Sequence, residues 1–196
     1  MFLLVWFINL FNFMDGIDGI AGVEAVAVSA GCVLIGILYP AAIVLPGFTL
    51  YALVIAAAAI GFLCWNWEPA RVFLGDVGSV PMGYLLGVLL LVLAASGFWA
   101  AALILPAYYL ADSGVTIVRR AIRGEKIWRP HASHYYQQAA RRFGSHARVA
   151  LAILYADAVL VALALYATQG NAILSLALAA GLVAALLYYL AGDAKP

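Results

Sequence analysis

The sequence predicts an all-α fold, a polytopic transmembrane helical bundle of about six full spans plus a truncated first helix. Three observations predict it. The 196 residues are 67% hydrophobic and 10% charged, with a mean hydropathy of +1.06, whereas soluble domains are ~45–50% apolar. A chain of this size has too little interior to hide two-thirds of its side chains, so the surplus needs a bilayer as its solvent. A water-soluble globule and intrinsic disorder are both excluded. Apolar runs of about 17–21 residues also recur along the chain, close to the ~20 needed to cross ~30 Å of hydrocarbon. Finally, lysine and arginine fall only on alternate loops.

The first apolar run, residues 1–14, reaches about 21 Å before Asp15, short of a crossing. It has neither the basic leader nor the small-residue cleavage site of a signal peptide. The chain therefore reads as the C-terminal part of a longer membrane protein, or as one whose start is misplaced. Full spans are predicted at 21–39, 48–64, 80–96, 98–118, 149–168 and 172–191. The breaks between them carry Pro40, Pro46 and Gly47, then Trp67-Glu68-Pro69, Gly97, the charged stretch 119–148, and Gln169-Gly170-Asn171, all residues that punctuate helices. Ser145 is the expected N-cap of the fifth span. Cys32 and Cys64 sit in apolar runs without metal-ligand spacing and read as packing residues, which sets aside a disulfide scaffold.

Net charge is +1, which argues against a nucleic-acid partner, because duplex binding neutralises many phosphates. Placement matters more. With the turn at Asp15 on the cytoplasmic side, the same side receives Arg71, Arg119, Arg120, Arg123, Lys126, Arg129, Arg141, Arg142, Arg148 and Lys195, which are all ten basic residues. The loops at 40–47, 97 and 169–171 carry none, as the positive-inside rule requires.

Three polar clusters share that side. In Asn9-x-x-Asn12-x-x-Asp15-Gly16-Ile17-Asp18-Gly19, three-residue steps spiral around a helix rather than share a face. Gly16 and Gly19 are expected to end the helix and swing both carboxylates toward one point; the plainer reading is a polar helix end with a glycine cap. The second cluster runs from Asn66 to Ser79 and sets Asp76 between Gly75 and Gly78, ahead of a helix start suited to an anion. Asp76 also reads as a simple helix-cap carboxylate. The third holds His131 and His134, with Pro130 suited to a helix start and Gly144 to its end, so that the two imidazoles would lie on one face. The arginines nearby favour phosphate as their ligand, against plain attraction to anionic lipid. Within the spans, Asp112 is spaced to meet Arg119 or Arg120, and Asp157 sits near mid-depth with no assigned partner.

Together the clusters resemble the polyprenyl-phosphate N-acetylhexosamine-1-phosphate transferases of glycosyl transferase family 4. Asn9-Leu10-Phe11-Asn12-Phe13-Met14-Asp15-Gly16-Ile17-Asp18-Gly19-Ile20-Ala21-Gly22 matches one family motif, Phe73-Leu74-Gly75-Asp76-Val77-Gly78-Ser79 a second, and the His131/His134 loop a third. The resemblance implies a single transmembrane catalytic domain over residues 1–196, with residues 119–148 as a cytoplasmic loop inside it. It also implies an earlier aspartate-bearing loop and roughly four helices upstream. The implied reaction is transfer of a sugar-1-phosphate, of GlcNAc type, from a UDP-sugar to undecaprenyl or another polyprenyl phosphate, with release of UMP, at the bacterial inner membrane. By the same resemblance Asn12 and Asp76 look like ligands of Mg²⁺ or Mn²⁺. Asp18, Asn66 and Phe73 resemble uridine contacts, Asp15 supports the site electrostatically, and His131 and His134 hold the diphosphate. Ala132 stands where relatives often have arginine, which leaves Arg123 or Arg129 for phosphate. The wording leans toward the O-antigen and lipopolysaccharide branch, and a homodimer is compatible with it. The competing classes are a membrane transporter, for which Asp112 and Asp157 would be the informative residues, and an inactive fragment or scaffold.

Overall fold

A computed structural model describes residues 1–125 and 133–192. Among these the only regular structure is helix: α1 (Phe2–Met14), α2 (Ile20–Leu38), α3 (Phe48–Asn66), α4 (Gly75–Ala95), α5 (Trp99–Ile104), α6 (Ala107–Ile122), α7 (Tyr135–Phe143), α8 (His146–Ala167) and α9 (Ala172–Ala191). α2, α3, α4, α8 and α9 are 19 to 22 residues long and apolar enough to cross a membrane. At ~1.5 Å per residue they match the hydrocarbon thickness. α1, with 13 residues, does not.

α2 lies at the centre of the bundle, with 72% of its most apolar window buried, against 28% for α3 and for α9. It packs on α3, α8 and α4. Gly22 makes one of these contacts close, since a Cβ there would meet the Leu63 side chain of α3 at 2.7 Å; small residues let membrane helices approach in this way. The outer helices present Leu50, Leu53, Val54, Ile173 and Leu178 outward. That inverted surface is what lipid requires of it.

The predicted spans map onto helices with two departures. The run 98–118 is not one span but α5 and α6, interrupted at Leu105 and Pro106. Proline supplies no amide hydrogen, and its ring crowds the carbonyl four residues back, so the helix stops and restarts. The other departure is α4, which begins at Gly75, five residues before the predicted 80. Asp76 and Ser79 therefore lie in its first turns rather than in a loop ahead of it. Ser145 caps α8 as expected, its hydroxyl accepting from the Arg148 amide.

The connections sort to two ends. At one end the Val44 amide donates to Ser96 Oγ at 3.1 Å and Thr168 Oγ1 donates to the Tyr39 hydroxyl at 3.1 Å, gathering the uncharged loops. The other end collects the α1–α2 turn, the α3–α4 loop, α7 and the start of α8. Arg71, Arg119, Arg120, Arg123, Arg141, Arg142 and Arg148 lie at this end, whereas Lys126, Arg129 and Lys195 fall outside the described residues.

Candidate active site

The polar end is assembled by side chains from distant parts of the chain. Asn12, near the end of α1, donates through Nδ2 to Asp76 Oδ1 at 2.9 Å and to Ser79 Oγ at 2.7 Å. Ser79 in turn donates to the Gly75 carbonyl at 2.9 Å. Asp76 is exposed in the first turn of α4, where the helix dipole favours an anionic side chain. It is the amide NH₂ that faces Asp76 here, so Asn12 orients that carboxylate.

Asp15 caps the C-terminus of α1 and is half-buried. Burial pushes its carboxyl up to about 6, because removal from water penalises the charged form. Asp18 points another way. Its Oδ2 accepts from the Ala70 amide at 3.0 Å, and its Oδ1 lies 3.3 Å from His146 Nδ1. The Asp18 amide reaches the same nitrogen at 3.3 Å. That nitrogen serves one contact at a time: it accepts from the amide when unprotonated and donates to the carboxylate when protonated. The two carboxylates are thus on one turn, and Asp18 is held there by Ala70 and His146. Of the two glycines, Gly19 takes the left-handed conformation at the start of α2, with φ +82°. Gly16 instead makes room, since a Cβ there would run into the Tyr136 hydroxyl of α7, which donates to the Phe13 carbonyl at 3.0 Å.

Asn66 is buried, and both ends of its amide are engaged. Oδ1 accepts from the Gly19 amide at 2.9 Å, while Nδ2 donates to the Val72 carbonyl at 2.8 Å. It brackets the first cluster to the second rather than facing an open site. Phe73, by contrast, is 70% exposed, an apolar ring standing in solvent next to the Asp76 turn.

The histidine cluster differs most from expectation. α7 begins at Tyr135 with His134 as its N-cap, in an extended conformation, so His134 does not occupy a helix face three residues beyond His131. His131, Arg129 and Pro130 lie outside the described residues. The His134 ring is buried, with Nδ1 3.2 Å from Asp112 Oδ1. Asp112, itself fully buried, also accepts from the Tyr135 amide at 3.1 Å, the Tyr136 amide at 3.2 Å, the Tyr108 hydroxyl at 3.0 Å and the Thr116 hydroxyl at 3.3 Å. The expected pairing of Asp112 with Arg119 or Arg120 does not form. Arg120 pairs with Glu125 at 2.8 Å, and the Arg119 guanidinium lies 5.1 Å from the centre of the Tyr135 ring. A carboxylate accepting two free amides at a helix start satisfies donors that nothing inside α7 can reach, and this demand wins over a distant arginine. Arg123, at the end of α6, is exposed, and Gly144 ends α7 at φ +64° as expected.

Two residues at this end carried no signal in sequence. Glu68 accepts from Ser145 Oγ at 2.7 Å, the Ala147 amide at 2.7 Å and the His146 amide at 3.0 Å, clamping the start of α8. The Ala147 amide, then the Ser145 hydroxyl and the His146 amide, hold its carboxyl below the usual glutamate range. His146 lies at the first position of α8. Both line a polar cleft of about 480 Å³ with Gly16, Ile17, Gln137 and Arg141. Only the pairing of a Glu-Pro loop with a capped helix start, 77 residues apart, could have pointed to them.

Residues 1–94 match the profile of glycosyl transferase family 4. Over 160 residues the chain is 29% identical to a probable undecaprenyl-phosphate N-acetylglucosaminyl 1-phosphate transferase of Bacillus subtilis (strain 168), covering 78% of this chain and 42% of that relative. It is 35% identical over 119 residues to a phospho-N-acetylmuramoyl-pentapeptide-transferase of Streptococcus pyogenes serotype M49 (strain NZ131), covering 60% of this chain and 33% of that relative. Residues 1–94, just under half of the chain, are thus similar to glycosyl transferase family 4. It spans about two-fifths and one-third of the length of these two relatives. The stretch matched by the family profile contains Asn12, Asp15, Asp18, Asn66, Phe73 and Asp76, whereas Asp112, His134 and His146 lie beyond it.

Proposed function

We propose that this chain carries part of the active site of a Mg²⁺-dependent phosphoglycosyltransferase of the bacterial inner membrane. The reaction moves an N-acetylhexosamine-1-phosphate of GlcNAc type from a UDP-sugar to undecaprenyl or another polyprenyl phosphate and starts a cell-envelope glycan. The family match over residues 1–94 and the names of the two relatives support the reaction class. The observation that carries the reading is the meeting of Asn12, Asp76 and Ser79 at the polar end of the bundle, with Phe73 exposed beside them.

A lipid phosphate oxygen attacks the phosphorus that bears the sugar, and the bond from that phosphorus to the oxygen bridging to the uridine-bearing phosphate breaks. UMP leaves with that oxygen. One phosphoanhydride is exchanged for another, so the protein's work is to bring two anions together and offset their charge. Asp76 and the carbonyl oxygen of Asn12 are hard donors of the kind Mg²⁺ takes, and among the described residues no cluster of three or more acid, histidine or cysteine side chains converges. One carboxylate plus substrate phosphates is a usual way to hold this ion. Mg²⁺, when bound, neutralises phosphate charge. Phe73 offers a stacking surface for the uracil, Asn66 and Asp18 fix the loop that presents it, and Asp15 sets the local charge. Arg123 approaches phosphate from the end of α6. His134 acts through Asp112, as a positioning residue for the basic loop, and His131 and Arg129 complete that loop.

A nucleotide sugar lives in cytosolic water and a polyprenyl phosphate keeps its head at the interface, so the polar end belongs on the cytoplasmic side, in line with its arginines. Release of UMP from UDP-GlcNAc, in the presence of polyprenyl phosphate and Mg²⁺, tests the proposal on membranes bearing the chain with and without upstream sequence. Asp76→Ala is expected to lower turnover on the order of 10²–10³-fold, the usual cost of losing a charge-stabilising group, with insertion unchanged. Turnover retained in that variant with Mg²⁺ present refutes the assignment.

A further inference from the structure

Two acids inside the bundle take no part in the polar end. Glu24 lies in the second turn of α2 and Asp157 in the middle of α8, at 0% and 1% exposure. The two helices pack together, and a Cβ at Gly19 would sit 3.5 Å from that of Ala150, which fixes their register. Glu24 is five residues beyond Gly19 and Asp157 seven beyond Ala150. At ~1.5 Å per residue the two therefore differ by only about 3 Å in depth. Their side chains are close enough for a carboxyl–carboxylate hydrogen bond. As plain carboxylates, however, none of their four oxygens finds a partner; a carboxylate only accepts. The Tyr109 hydroxyl of α6 is fully buried without a partner, and Glu24 is the charged side chain that acts on it most strongly.

Among the described residues, the elements packed around the pair supply no positive charge to it. The buried residues of α3, α4, α5 and α9 include no titratable side chain. Tyr108 and Asp112 of α6 bond to each other, Arg120 pairs with Glu125, and Tyr136 of α7 is committed to Phe13. Asp15, at the head of α2, acts on Tyr109 from the polar side. Two adjacent carboxylates without a countercharge in a low-dielectric interior do not both stay ionised. An ionisable residue within a membrane span is a functional group by default.

We propose that Glu24 and Asp157 form an intramembrane proton-binding site, holding one proton between α2 and α8. The proton converts a repulsive contact into a hydrogen bond. It ties the helix that begins at the Asp15–Gly19 turn to the helix that begins at His146. The site does not depend on the transferase reading.

Infrared spectroscopy of the full chain in detergent micelles tests it at about pH 8, where Asp15, with its value of about 6, is ionised. The native chain is expected to show one protonated carboxyl per molecule, unchanged when sodium replaces potassium. Glu24→Gln with Asp157→Asn keeps a hydrogen-bonding pair without a proton and is expected to lose that signal. Absence of the signal from the native chain overturns the proposal, and that measurement needs no variant to fold. Its removal by sodium overturns it in favour of a metal-cation site, and its persistence in the double variant assigns the proton elsewhere.

Discussion

The contact between Asn12 and Asp76 is a single amide donating to an exposed carboxylate, and its chemistry makes a test of the cation separate from turnover. In Asn12→Asp the donor is replaced by a second carboxylate, and the bonds at 2.9 Å and 2.7 Å to Asp76 and Ser79 are lost. The expected cost is about 1–3 kcal/mol. Mg²⁺ is expected to restore thermal stability to this variant more than it raises that of the native chain; equal response of both proteins speaks against a cation at this place. Asp15 gives a second measurement. Its value is raised by burial to about 6, so the folded state binds this proton more tightly than the unfolded chain does. The group's contribution to stability is present below the ordinary aspartate range and is lost as pH rises through about 6. Asp15→Asn is expected to flatten that part of the stability profile in chemical unfolding. Sequence spacing singled out Asn12, Asp15, Asp18, Asn66 and Asp76 because each is a polar group beside apolar residues, whereas Phe73 entered only through the family resemblance. Spacing could not give their partners, because a bond such as Asn66 to Gly19 joins residues 47 apart, and only packing decides it.

Among elements, α7 and α8 start on carboxylates borrowed from elsewhere. α7 is too short, at nine residues, to be stable alone. Asp112→Ala strands the Tyr135 and Tyr136 amides and the His134 ring together, and is expected to cost several kcal/mol. Hydrogen exchange should show the Tyr135 and Tyr136 amides among the first to lose protection. α8 depends on Glu68, whose carboxyl lies below its ordinary range. Stability from a depressed carboxyl is present above the ordinary glutamate value and lost as pH falls through the folded value. Glu68→Gln should remove that acid sensitivity, and Ser145→Ala should cost about 1 kcal/mol, the usual worth of an N-cap; thermal unfolding across pH checks both. The helix count was legible in apolar run lengths except at Pro106, where hydropathy stays high across a break that only backbone chemistry imposes. Glu24 was passed over for a related reason: one acid barely changes the mean of a 19-residue apolar run, yet packing sets it beside another.

For the whole molecule, the separation of the two ends is the property that sequence showed best, because the positions of lysine and arginine record it directly. Single cysteines at Gln169 and at Arg123 are expected to react with a membrane-impermeant thiol reagent from opposite faces of a sealed vesicle. Labelling of both from one face would contradict the arrangement. Cys32 is buried and does not interfere, whereas the exposed Cys64 needs replacement first. Within the polar end, Asn66 grips the Gly19 amide with one hand and the Val72 carbonyl with the other. The peptide segment before Asp76 and the one after Asp15 are therefore yoked, so a ligand that pulls on either must tow its companion, and a nucleotide settling against Phe73 would be felt at the head of the central helix.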